Sequence, residues 1–206
     1  MKRFSALIVI ALLMSVSSML QAQALIESSK TREEVVLWGS AMEAYSGLEK
    51  FNGLWRGAGE GKWGTSDAEK QFASILGGKV VCRGGRSVYP QQKRNPEGET
   101  HLSHSLFSLT DNGKTLSLSE YDNEGFIAHY ALDLNASKAN LSWIFELVRG
   151  ENLPPNFSAR LSLVLTGKDQ YTETFELDFS GKGYVTYLTN RLWKISDKFE
   201  GGCGNY

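Results

Sequence analysis

The run Gly53-Leu54-Trp55-Arg56-Gly57-Ala58-Gly59-Glu60-Gly61-Lys62-Trp63 constrains the fold more than any other part of the chain. Read with period two, it has two faces. Trp55, Gly57, Gly59, Gly61 and Trp63 share one face, and Arg56, Ala58, Glu60 and Lys62 share the other. Glycines inside a strand cost conformational entropy and pack no side chain. A wall that must curve, or that must leave space beside it, gives them a purpose. The stripe predicts the opening strand of a small barrel, with Gly57, Gly59 and Gly61 facing a ligand cavity. Curvature of the strand alone is the second reason that stays open for them.

The following sequence keeps a strand pattern to its end. Alternating runs cover 54–63, 69–76, 79–89, 100–109, 115–121, 125–134, 140–148, 159–166, 171–179 and 184–193. Gly77-Gly78, Asp111-Asn112-Gly113, Asp122-Asn123-Glu124-Gly125, Gly167-Lys168-Asp169 and Gly181-Lys182-Gly183 separate several of them. Such short Gly/Asn/Asp-rich connections fit hairpins. Ten strands joined this way predict an all-β fold, an antiparallel up-and-down barrel, with a two-sheet sandwich as the competitor. Ahead of them, residues 31–46 read as one helix. Thr31 and Glu34 have capping-box spacing, and Val35, Trp38, Met42 and Tyr45 form an apolar stripe.

Several strands have one apolar face. Phe126, Ala128, Tyr130, Leu132 and Leu134 share one, as do Leu141, Trp143, Phe145 and Leu147. In the ninth run, Tyr171, Glu173, Phe175, Leu177 and Phe179 alternate, and Glu173 is the polar exception. An interior carboxylate needs a partner or a raised pKa. Arg160 and Arg191 are the expected partners, and also the expected anchors for an anionic head group. With Phe126, Tyr130, Trp143, Phe145, Phe175 and Tyr187 they complete the predicted cavity lining.

Residues 1–24 read as a signal peptide: Lys2 and Arg3 precede an apolar run over 4–14, and Ala22-Gln23-Ala24 fits a cleavage site. The expected order is then a helix over 25–50, a barrel over 51–194 and a tail over 195–206. An exported, periplasmic or secreted location follows. Cys82 and Cys203 are the only cysteines, and export makes them a candidate disulfide. With 22 Lys/Arg against 23 Asp/Glu and no basic cluster, no nucleic-acid partner is expected. No later apolar run reaches membrane-spanning length.

Catalytic and metal motifs are absent or misplaced. Gly59-x-Gly61-x-x-Gly64 lies within strands rather than between a strand and a helix, which argues against a dinucleotide. His101 and His104 are three apart, so on a strand they face opposite ways. His129 falls on the face opposite Phe126 and Tyr130. No catalytic triad or carboxylate pair has usable spacing, and no catalytic or metal-binding residue is assigned.

Gly53-x-Trp55 on the first strand with Arg191 on the last resembles the calycin superfamily of lipocalins and fatty-acid-binding proteins. The resemblance implies that Trp55 and Arg191 close one barrel end. Leu54-Trp55-Arg56-Gly57-Ala58-Gly59-Glu60-Gly61, Glu124-Gly125-Phe126 and Glu151-Asn152-Leu153-Pro154-Pro155 resemble segments of nitrobindin-like, heme-binding-type bacterial barrels. That family holds heme through a histidine near the end of the last strand, whereas residues 191–206 contain none. No cofactor is therefore expected. The expected function is binding of a small apolar or amphipathic ligand, as carrier or sensor. A structural or interaction module with a filled barrel, a heme protein and a cavity isomerase are the alternatives.

Overall fold

In the computed structural model, residues 36–154 and 156–197 are described. The ten strands are β1 (Gly53–Gly61), β2 (Gly64–Ile75), β3 (Val80–Tyr89), β4 (Glu99–Thr110) and β5 (Thr115–Asp122), then β6 (Ile127–Leu132), β7 (Ser142–Glu151), β8 (Ser158–Gly167), β9 (Gln170–Asp178) and β10 (Val185–Ser196). Each pairs antiparallel with its neighbours in sequence, and β1 also pairs with β10, which closes the barrel. Closure removes both sheet edges, which a sandwich would leave exposed.

β2 begins five residues earlier than its sequence pattern suggests. Gly61 pairs directly with Gly64, so Lys62 and Trp63 are the two residues of a tight turn. Gly64 has φ +109°, which suits glycine alone.

The N-terminal helix is shorter than its periodicity predicts. It is α1 (Ala41–Gly47), followed by a 3-10 turn over Leu48–Phe51. A second Ser-x-x-Glu pattern sets its start. The Glu43 N–H donates to Ser40 Oγ at 3.2 Å, while Glu43 Oε2 accepts from the Gly39 N–H at 3.0 Å. Trp38 therefore precedes the helix, and Leu37 forms a bridge with Lys138. Thr31, Glu34 and Val35 lie outside the described residues.

α1 and its 3-10 turn plug one barrel end. Trp38 Nε1 donates to the Ser142 carbonyl at 3.0 Å, and Trp143 Nε1 to the Ala44 carbonyl at 2.8 Å. Phe51 sits at the centre of the plug, with ring centroids 5.1 Å from both Trp143 and Tyr171. Edge-to-face pairs of this kind are worth roughly 0.5–1.5 kcal/mol each beyond their buried area. Trp143 and Phe145, expected on the cavity wall, are fully buried in this aromatic end. Their alternation gave the correct face, but their height along the barrel depends on the shear between strands.

The glycine stripe faces inward, and contact between strands explains it. A Cβ on Gly57 would collide with the Arg191 carbonyl of β10, and one on Gly61 with the Tyr187 carbonyl. One on Gly59 would meet the side-chain oxygens of Asn190 and Ser66. The glycines let β1 and β10 approach closely where the sheet coils into a barrel. None of the three lines the cavity.

Trp55 is fully buried, and its Nε1 donates to the Phe51 carbonyl at 2.6 Å. Arg191 is exposed on the outer face, so it does not cover Trp55 as expected. Lys194, register partner of Trp55, does so, with Nζ 5.1 Å from the ring centroid. Strand register explains the exchange: Arg191 pairs with Ala58, which points outward.

Candidate functional site

Above the aromatic plug, a layer of charged side chains crosses the barrel. Arg83 on β3, Ser105 on β4 and Glu120 on β5 are consecutive register partners, so they form one row on the inner wall. Arg83 donates to Ser105 Oγ from Nε at 3.2 Å and to Glu120 Oε2 from Nη2. Ser105 Oγ in turn donates to Glu120 Oε2 at 2.8 Å. From the opposite wall, Glu173 on β9 accepts from Arg83 Nη1 at 2.6 Å. Its other oxygen accepts from Lys70 Nζ and from Asn190 Nδ2, each at 3.1 Å.

Gly85 makes room for this layer. It pairs with Lys70 and with Ser103, and a Cβ there would meet Lys70 Nζ at 2.9 Å as well as Ser103 Oγ. Glu173 therefore has the partner that its place on an apolar face demanded, but neither expected arginine supplies it. Arg160 faces outward, bonds Glu176 at 2.8 Å and lies over the Tyr184 ring. Both arginines follow the period-two rule to the outer wall, and only closure of the barrel brings β3 opposite β9.

The charges shape one another. Burial pushes the Glu173 carboxyl up, but Lys70 and Arg83 outweigh it and bring the pKa down to about 2. Burial acts to lower the Arg83 value, but Glu173 and Glu120 hold it above the ordinary range. Burial, reinforced by Glu120, raises the Tyr130 phenol.

This layer floors a cavity of about 440 Å³. Phe126, Ala128 and Tyr130 of the β5–β6 region form one apolar wall, and Leu161, Phe175 and Leu177 form another. Tyr187 stands at the rim and accepts a 2.6 Å hydrogen bond from Trp63 Nε1 in the β1–β2 turn. The Glu151-Asn152-Leu153-Pro154 segment also has a place here. Asn152, at φ +60°, donates to the Gly125 carbonyl at 2.8 Å, and Leu153, Pro154 and Phe157 line the opening. Pro155 lies outside the described residues.

Sequence reasoning missed Lys70, Arg83, Glu120 and the loop residues. The one available signal was Arg83 itself, an arginine in register with Val81, Gly85 and Ser87 on a strand face otherwise free of charge.

The cavity residues do not fit a heme ligand set. His101 is the only histidine among the lining residues. Its Nε2 lies 3.1 Å from Glu99 Oε1, and its Nδ1 2.6 Å from Glu124 Oε1. His129 faces outward, against Ser119 at 3.0 Å and Arg149 at 3.2 Å. His104 pairs with Gly84 and Tyr121 on the outer face. Cys82 also points away from the interior; it is fully buried and disulfide-bonded. Its expected partner Cys203 lies outside the described residues.

No protein-family model matches the chain, and no curated protein matches it. Among solved structures, the crystal structure of Rv2717c from M. tuberculosis matches with a TM-score of 0.51 and 18% identity. The match covers 78% of this chain and 99% of that one. At that identity the likeness concerns the fold alone, a closed ten-stranded antiparallel barrel.

Proposed function

We propose that this protein is an exported, non-catalytic carrier or sensor whose barrel encloses a small apolar or amphipathic molecule. The cavity carries this reading. Its volume of about 440 Å³ lies within the range of small-molecule sites, and rings and aliphatic side chains wall it. Burying a ligand there gains roughly 25 cal/mol per Å² of apolar surface removed from water. A barrel filled by its own side chains would leave no such space. The floor also favours binding over catalysis. Glu173 is locked in ion pairs with a pKa near 2, far from the neutral value that suits a general acid or base.

The test is fluorescence titration with N-phenyl-1-naphthylamine, backed by native mass spectrometry of protein taken from its own host. Saturable fluorescence enhancement is expected, and it should vanish in Ala128→Trp. Ala128 lines the cavity between Phe126 and Tyr130, so an indole there fills the space. Equal enhancement by that variant, with its melting transition intact, would contradict the reading.

A further inference from the structure

The lining of the cavity also specifies the ligand's polar end. We infer, on the basis of the binding function proposed above, that the site takes uncharged amphiphiles with a hydroxyl head group and discriminates against fatty-acid anions. Glu120 and Lys70, both lining the cavity, retain bonding capacity. Glu120 Oε2 is occupied by Arg83 and Ser105, but Oε1 has no partner among the described residues, and the side chain is 24% exposed. Lys70 Nζ spends one of its three N–H donors on Glu173 Oε1, and the described residues accept no other. Glu173, in contrast, has both oxygens engaged.

A hydroxyl suits either group because it can both donate and accept. It can donate to Glu120 Oε1 or accept from Lys70 Nζ, whichever its position in the cavity brings within reach. A carboxylate cannot donate, and it would face the Glu120 carboxylate in a poorly hydrated site. The wider lining is unfavourable to an anion too, because Lys62, Lys70 and Arg83 are outnumbered by Glu120, Asp122, Glu124 and Glu173. An ammonium head is disfavoured locally, since Lys70 and Arg83 already stand at the floor. Burying an unpaired charge of either sign is costly, whereas a neutral head leaves the floor's two cations and two carboxylates balanced.

Three probes of equal chain length separate the possibilities: decan-1-ol, decanoate and decylammonium, each displacing N-phenyl-1-naphthylamine at pH 8. Decan-1-ol should bind at least tenfold more tightly than either ion. In Glu120→Gln, which keeps the shape and removes the charge, the penalty on decanoate should shrink at least fivefold. The melting temperature of that variant reports whether it is folded, and Asp122→Asn serves as a second charge-removing variant at the cavity wall. Equal or tighter binding of decanoate or decylammonium overturns the inference. Displacement by none of the three, with the fluorescent probe still bound, overturns the inference and leaves the binding function standing. Failure of the fluorescent probe itself removes both.

Discussion

Arg83 and Glu173 meet across the barrel at 2.6 Å although 90 residues separate them in sequence. Arg83 comes from β3 and Glu173 from β9, so the pair links opposite walls. It also divides the molecule by height, with the aromatic plug beneath and the apolar cavity above. Removing Arg83 takes a charged partner from both Glu120 and Glu173. Arg83→Met should destabilise the protein by about 3–5 kcal/mol in urea unfolding. The double variant Arg83→Met/Glu173→Leu should recover part of that loss. A double variant less stable than the single would refute this account of the pair.

Acid should weaken the same layer. The folded-state pKa of Glu173 is depressed to about 2 from an ordinary 4.5. Its contribution is complete above the unfolded value and disappears as pH falls through the folded one. The melting temperature should therefore fall between about pH 5 and pH 2, and the fall should be shallower in Glu173→Gln. Parallel pH profiles of the two proteins would assign the acid sensitivity elsewhere.

The β1–β10 seam should tolerate no side chain at Gly57. Its Cβ direction points at the backbone carbonyl of Arg191, which cannot move without breaking the ladder. Gly57→Ala should cost roughly 1–3 kcal/mol through overpacking. Gly77→Ala, in a hairpin turn where nothing lies within 4 Å, keeps its strain at φ +67° but meets no clash. Chemical denaturation of both separates a close approach between strands from turn strain alone.

Lys194, rather than Arg191, should stabilise the closed end. Lys194→Ala removes the cation over Trp55 and the 2.8 Å contact with Asp197. A loss of about 0.5–1 kcal/mol is expected from the cation–π contact. Arg191→Ala, at an exposed position, should stay within about 0.5 kcal/mol of the parent. The reverse ranking would restore Arg191 to barrel closure.

The rim clamp should govern how long a ligand stays. Trp63 Nε1 donates to the Tyr187 hydroxyl at the mouth, between the β1–β2 turn and the adjacent β10, at 2.6 Å. Tyr187→Phe removes the acceptor and preserves the ring. Stopped-flow release of N-phenyl-1-naphthylamine should quicken severalfold in that variant. An unchanged release rate would show that the probe leaves by another route.

Period-two alternation determined which side chains share a face, Phe126 with Tyr130 and Phe175 with Leu177 among them, because a side chain's face depends only on its position along its own strand. The Trp-flanked glycines marked where the barrel opens. Height along the barrel and partners across it came only with the tertiary structure. Trp143 and Phe145 fell into the plug, Lys194 took the place expected for Arg191, and Glu173 found Arg83 and Lys70 instead of Arg160. Each outcome depends on the register between strands and on the closure of β1 against β10, and no single strand contains either. The polar floor follows from the same cause. Residues from six strands converge there, and period two can show that each points inward but not which of them will meet.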